Sequence, residues 1–513
     1  MSLNRQILMI AGMMVAAGLA CDLSAIRPTD SPVTAAPPSA TPTLEPTPTA
    51  PPVFDAQPGS VRTGVRRFAA RVRTTSDWTR TVIEGANVAA VDHEILQGAD
   101  LPDLDVRRLP ELRIDHSGGT GNVIEVEYDL YLRDIGGPVR FGIGKGHSGR
   151  TDLELLAVDG EERIALRELT HVGVADAGGP HNRRWFELDP ATLRTAPQLM
   201  VEDRDFDKQL LAFYYPWYGS PDGPTGFARA WEDKPPPNTP NLGLYDSKDP
   251  AVFRQHIRDA RQAGVDGFIV SWWGQGDFTD EVLQDVILPI AAEERFPITL
   301  YYERADSREQ IVDDFRHILS VYGSHPAYMR VAGDPVLFIF FEVSLRFDRA
   351  DWQYVFDRLE EEGLDCFCHG AGLASGFHLG DAPLDYLFEL FDGVHMYLPA
   401  SVPLGQLDPL YRGYATKASV AGTSFAATVS PGFDNSPWYD SFGFDHMVIE
   451  RQGGDYYRST WEAALGSDAD WILLTSFNEW HEGTEIEPSE EHGEQYLDLT
   501  HDLVTNWNET NDP

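Results

Sequence analysis

The chain has 513 residues, enough for more than one hydrophobic core, and the composition of an ordinary globular protein. Its 81 acidic against 40 basic side chains give a net charge of −41, which argues against nucleic acid or an anionic lipid surface as a partner and leaves neutral ligands such as sugars. Three cysteines, at 21, 366 and 368, make no disulfide framework, so Cys366 and Cys368 are expected as compact buried residues of a strand.

Residues 1–21 combine a short polar start carrying Arg5, an apolar run at 7–20, and small residues before Cys21. That run is short for a membrane span and suits an export signal. The small residues before a lone cysteine resemble the lipobox of bacterial lipoproteins, which implies lipidation of Cys21 as the membrane anchor. Gly18 stands where that motif usually has leucine, so plain cleavage and secretion, or an uncleaved anchor, stay open. Residues 22–59 are rich in Pro and Thr and poor in large apolar side chains. Such a stretch buries too little surface to offset its ordering entropy and is expected to be an extended linker.

From 60 to 205, short runs at 82–84, 123–132, 139–144 and 153–158 alternate apolar and polar residues between Gly, Asp and Pro. Period-two alternation predicts an all-β, sandwich-like domain, either an accessory carbohydrate-side module or a purely structural one. From 206 to 513 the pattern becomes apolar runs separated by amphipathic stretches. The runs lie at 210–215, 267–273, 298–303, 336–341, 366–369, 393–397, 425–429 and 471–477. Eight apolar runs with helices between them predict an α/β protein, a (β/α)8 TIM barrel whose strands are covered on both faces. Gly264 is placed to end the helix that starts near 251.

In such a barrel the C-terminal strand ends share one face, so side chains far apart in sequence converge there. The run ends carry Tyr214, Tyr215, Trp272, Trp273, Glu303 and Tyr397, and the last opens into Asn478, Glu479, Trp480, His481 and Glu482. Aromatic rings stack on the C–H faces of sugars, and a carboxylate pair supplies the acid and base that glycosidic cleavage needs. His325 either lines this pocket or orders its own loop. Glu482, Glu485, Glu487 and Glu490 offer oxygens, but no second histidine stands at ligand spacing from His481 and the spacing is not that of a calcium loop, so no metal is expected. Neither a phosphate-binding glycine loop nor a serine nucleophile elbow is present, so no nucleotide cofactor and no serine hydrolase chemistry are expected.

The segments at 214–219, 264–274, 322–328 and 476–487, in this order, resemble glycoside hydrolase family 99, the endo-α-1,2-mannosidases. The likeness covers about 208–500. It implies a (β/α)8 fold and retaining endo-cleavage of α-mannosidic linkages in glycans or mannan. It also implies a neighbouring-group route, with Glu479 deprotonating the sugar 2-hydroxyl and Glu482 protonating the leaving oxygen. Tyr215, Trp272, Glu303, Tyr397 and Asn478 would hold the sugar, with Tyr214, Trp273, His325 and Trp480 as further substrate-binding candidates. The family commonly has glutamine where this chain has Glu485. A monomer acting on a polysaccharide or glycan is expected. A same-fold glycosidase of other sugar specificity and a noncatalytic glycan-binding surface lipoprotein remain alternatives.

Overall fold

In the computed structural model the described residues are 202–231, 235–371, 385–442 and 446–509, together with the separate strands and one short helix between 53 and 193 given below. The signal-like segment, Cys21 and most of the Pro/Thr-rich stretch lie outside the described residues.

Eight strands close a parallel barrel: β1 (Leu210–Tyr214), β2 (Gly267–Trp272), β3 (Ile298–Tyr302), β4 (Asp334–Ile339), β5 (Phe367–Ala371), β6 (Gly393–His395), β7 (Ser424–Val429) and β8 (Trp471–Leu474). Each pairs in parallel with its neighbours, and β8 closes the ring against β1. A helix follows every strand: α1 (Pro250–Ala263), α2 (Leu288–Glu294), α3 (Arg308–His317), α4 (Arg349–Glu361), α5 (Asp385–Leu390), α6 (Leu404–Ala421), α7 (Asp455–Leu465) and α8 (Gln495–Glu509). Local chemistry sets the bounds of α1. Asp249 caps its start by accepting from the Ala251 amide at 2.8 Å, Pro250 opens the first turn, and Gly264 ends it at φ 81.

Side chains alternate across each strand, so two apolar layers form. Leu210, Ala212, Tyr214, Phe268, Val270, Trp272, Leu300 and Tyr302 pack outward against the helices. Leu211, Phe213, Tyr215, Ile269, Tyr301, Phe338, Tyr397, Trp471 and Leu473 fill the barrel. Inside it, His369 stacks on Trp471 at 5.1 Å between ring centroids, and burial pushes its pKa down to about 3, so the ring serves as a neutral core group.

Before the barrel, two five-stranded antiparallel sheets are present. One runs in the order Glu162–Leu169, Thr151–Asp159, Val65–Thr74, Asn122–Tyr131 and Asn87–Gln97. The other runs Arg184–Leu188, Val139–Lys145, Trp78–Glu84, Leu112–Ser117 and Asp105–Arg108, and a single helical turn follows at Pro190–Leu193.

Two expectations need correction. Residues 53–59, the end of the stretch read by composition as linker, carry strand pairing that runs on to Val61. Val53–Phe54 runs parallel to Arg330–Val331, and Ala56–Val61 pairs with Glu202–Phe206. Val53, Phe54 and Val61 give this end of the stretch apolar side chains that the Pro/Thr repeats lack. Cys366 and Cys368 are buried as expected but are bonded to each other, because residues two apart at the start of β5 bring their Cα atoms within 5.4 Å, inside the reach of a bridge.

Candidate active site

Strand alternation decides which residues at the strand ends reach the mouth of the barrel. Tyr214 and Trp272, expected among the sugar contacts, point instead into the helical layer. The Tyr214 hydroxyl meets His256 Nδ1 at 3.0 Å, and Trp272 Nε1 donates to Asp280 Oδ1 at 2.7 Å. Their sequence neighbours have the opposite parity. Tyr215 turns inward, its hydroxyl 2.6 Å from that of Tyr397, and Trp273 is half-buried with its Nε1 donating to Ser271 Oγ at 3.0 Å. Glu303, one residue past β3, shares the inward parity of Tyr301 and is 7% exposed. His325 lies at the other end of the barrel. Its loop leads to Met329, whose amide donates to Ile298 O at 2.8 Å at the first residue of β3, while His325 Nδ1 accepts from the Ala327 amide at 3.3 Å. It orders that loop.

Beyond β8 the chain folds back on itself. The Ser476 amide donates to Thr484 O at 2.8 Å and the Glu487 amide to Phe477 O at 2.9 Å, which closes a compact loop around a tight turn at Trp480–Glu482. Gly483 follows at φ 57, and a Cβ there would sit 2.9 Å from Pro237 Cγ, so only glycine fits. Glu479 and Glu482 flank this turn. Glu479 Oε1 accepts from the His481 amide at 3.1 Å and lies 3.1 Å from His481 Nδ1. His481 Nε2 is 2.8 Å from Ala230 O. A carbonyl only accepts, so Nε2 carries a proton, and the Nδ1–Glu479 contact is attractive when one of those two groups holds another.

Glu482 Oε2 accepts from the Tyr397 hydroxyl at 3.1 Å. Having given its proton to Glu482, Tyr397 must accept from Tyr215, which orders a Tyr215→Tyr397→Glu482 chain of donors. Glu303 completes the group. Burial pushes its carboxyl well above the usual range, the nearby Glu479, Glu342 and Glu482 charges add to this, and the Ser271 hydroxyl partly offsets it. Burial likewise raises the Tyr215 and Tyr397 hydroxyls, reinforced by the charges of Glu479 and Glu482, so both stay protonated donors.

The remaining motif residues build the scaffold. Asn478 exchanges two hydrogen bonds with the Tyr215 backbone, Oδ1 accepting at 2.7 Å and Nδ2 donating at 3.0 Å. Trp480 Nε1 donates to Glu487 Oε2 at 3.0 Å, and that carboxylate also accepts from the Tyr245 hydroxyl at 2.9 Å and lies 3.0 Å from His256 Nε2. Asn478 and Trp480, both fully buried, therefore lock the loop to β1 rather than facing a ligand. The four glutamates considered for a metal diverge: Glu482 toward Tyr397, Glu485 toward Arg451, Glu487 toward His256, and Glu490 to the surface. Among the described residues no group of His, Cys, Asp or Glu is arranged to hold an ion.

Trp217, in the aromatic end of the first run but not among the expected sugar contacts, is half-buried at the mouth with its ring 4.7 Å from Tyr215, 5.7 Å from His481 and 6.4 Å from Trp273. Parity counted from Phe213 through Tyr215 reaches it once barrel closure has fixed Phe213 as inward. His256 and Arg451 gave no such signal, since one sits on a helix face and the other in a loop.

A parallel eight-stranded barrel with carboxyl groups gathered at its C-terminal mouth, beside partly exposed tryptophans, is the architecture of a glycoside hydrolase. The sequence model of glycosyl hydrolase family 99 matches residues 224–504, and the chain belongs to that family. A mouse glycoprotein endo-alpha-1,2-mannosidase-like protein is 26% identical over 338 residues, 58% of this chain and 73% of its own length. Mouse glycoprotein endo-alpha-1,2-mannosidase is 26% identical over 316 residues, 54% of this chain and 67% of its own. Among solved structures, a GH99 endo-alpha-mannosidase from Bacteroides thetaiotaomicron is similar with a TM-score of 0.51 and 27% identity, across 59% of this chain and 98% of that one.

Proposed function

We propose that the protein is a retaining endo-α-mannosidase acting on glycans or mannan, with Glu479 as general base and Glu482 as general acid/base. The observation that carries this is the placement of both carboxyls on one tight turn, with Glu482 held by a tyrosine donor chain and Glu479 held beside His481. In the first step Glu479 takes the proton of the 2-hydroxyl of the bound sugar, O2 attacks C1, the C1–O bond to the leaving sugar breaks, and Glu482 gives that oxygen its proton. In the second, Glu482 takes a proton from water, the water oxygen attacks C1, the C1–O2 bond opens, and O2 recovers its proton from Glu479. Two inversions at C1 give net retention. Glu303, pushed toward its neutral form, serves as a hydrogen-bond donor to the sugar, and Trp217 and Trp273 offer rings for stacking.

Incubation with α-mannan oligosaccharides, following both product size and anomeric form, tests this reading. Internal cleavage with the α-anomer formed first supports it, and absence of cleavage on every α-mannoside overturns it. We propose also that residues 1–21 direct export and that Cys21 carries a lipid. The composition of that segment supports this, and release of a Cys21→Ser variant from the membrane fraction, with wild type retained there, is the expected result.

A further inference from the structure

Arg451 stands directly behind the turn that carries Glu482. It lies after the strand Val448–Ile449, in the segment that returns from the β7 end of the barrel. Its Nη2 donates to the Gly483 carbonyl oxygen at 3.1 Å and to Glu485 Oε1 at 2.6 Å, and its guanidinium packs over Tyr496 at 4.5 Å. Glu485 Oε1 also accepts from Asn238 Nδ2 at 2.8 Å, which ties the segment after β1 to the same point, while Glu485 Oε2 is buried with no hydrogen-bond partner. The two side chains are 10% and 1% exposed.

The packing around this pair leaves no slack. A Cβ on Gly432 would come within 2.6 Å of Arg451 Cγ, and one on Gly483 within 3.1 Å of Asp434 O. Loops after β1, β7 and β8 therefore meet at one charge pair, and its Arg451 holds the carbonyl of Gly483, the residue after Glu482.

Stability does not account for it. Burial raises the Glu485 carboxyl to about 7 even with Arg451 beside it, so the charge loses more from desolvation than the guanidinium returns.

We propose that Arg451 and Glu485 are positioning residues for Glu482, with Arg451 holding the Gly483 carbonyl and Glu485 holding Arg451. The inference rests on Glu482 being the general acid, and its test separates the two ideas by leaving group. A sugar leaving group needs a proton from Glu482, whereas fluoride departs without one. The value of kcat/KM, which reports the steps through departure, is to be measured for full-length Arg451→Lys, Glu485→Leu and Glu482→Gln on an α-mannobioside and on α-mannosyl fluoride.

Both positioning variants are expected to lose about tenfold or more on the mannobioside and less than about twofold on the fluoride, with Glu482→Gln showing the same selectivity in larger measure. Equal losses on both substrates, or no loss on either, in variants with wild-type circular dichroism would overturn the positioning role. A Glu482→Gln enzyme without leaving-group selectivity would remove the acid assignment itself, and the inference with it. Should Arg451→Lys fail to fold, Glu485→Leu, which removes the acceptor for Arg451 at similar side-chain volume, carries the test alone.

Discussion

The loop after β8 divides into two halves with the same kinds of residue and opposite fates. Glu479 and Glu482 face the barrel mouth, among tyrosine hydroxyls whose pKa values are raised by burial and further by these charges. Asn478, Trp480 and Glu487 turn away, and their polar atoms are consumed by Tyr215, Tyr245 and His256. A carboxylate with its oxygens committed to three buried partners holds a loop in place. Glu482, half-buried at the mouth and accepting from the Tyr397 hydroxyl, is placed to exchange a proton with a substrate. Direction, more than residue type or burial, separates chemistry from scaffolding here, since Glu479 and Glu487 are each 3% exposed.

The largest expected effect breaks this comparison on its catalytic side. Glu479→Gln and Glu482→Gln preserve volume and should each lower kcat by about 10²- to 10⁴-fold, while the melting temperature stays within about 2 °C of wild type. A large loss of stability in either would mean that the active half is also scaffold. The complementary change is Glu487→Leu, which strips partners from the Tyr245 hydroxyl, Trp480 Nε1 and His256 Nε2 together. It should lower unfolding free energy by about 3–5 kcal/mol, read as a shift in urea midpoint, with Glu487→Gln recovering part because one acceptor oxygen survives.

The barrel was legible in the sequence because its strands are apolar on both faces, and eight such runs separated by amphipathic stretches leave few alternatives. The site was legible at the level of the motif and blurred at the level of the side chain. Tyr214 against Tyr215 and Trp272 against Trp273 are one strand position apart, and the direction of the first inward residue follows from barrel closure, which no local pattern reveals. His325 sits in a motif of the family resemblance yet at the opposite barrel end, since shared sequence also records how loops are built. The bond between Cys366 and Cys368 was hidden for another reason: two cysteines suffice for a local bridge even where no disulfide framework exists.

A third prediction tests the buried pair by pH. The Glu485 carboxyl is raised to about 7 by burial, with Arg451, its own backbone amide and Asn238 opposing the shift and Glu487 adding to it; Tyr496 lies on the same side. A folded pKa above the unfolded value means that the folded state binds the proton more tightly. Stability from this group is therefore full below the unfolded value of 4.5 and declines as pH rises to about 7, then levels. Glu485→Gln abolishes that decline. Its stability relative to wild type should rise between pH 5 and pH 8 by at most about 3 kcal/mol, since a unit of pKa is about 1.4 kcal/mol. A difference independent of pH would show that the carboxyl is ionised throughout the range.

The smallest effect sharpens the comparison between adjacent tryptophans. Trp272 is fully buried against the helices and bonded to Asp280, whereas Trp273 is half-buried at the mouth with its Nε1 on Ser271. Trp273→Ala removes a face on which a sugar ring can stack, an interaction of about 1 kcal/mol, so KM for mannan oligosaccharides should rise about five- to tenfold while kcat and the urea midpoint change little. Trp272→Ala should do the reverse, leaving KM near wild type and costing about 3–5 kcal/mol of stability through the cavity it opens. Should Trp273→Ala lower the midpoint and spare KM, the ring is a support for Ser271 and through it for Glu303, and stacking at the mouth would fall to Trp217 alone.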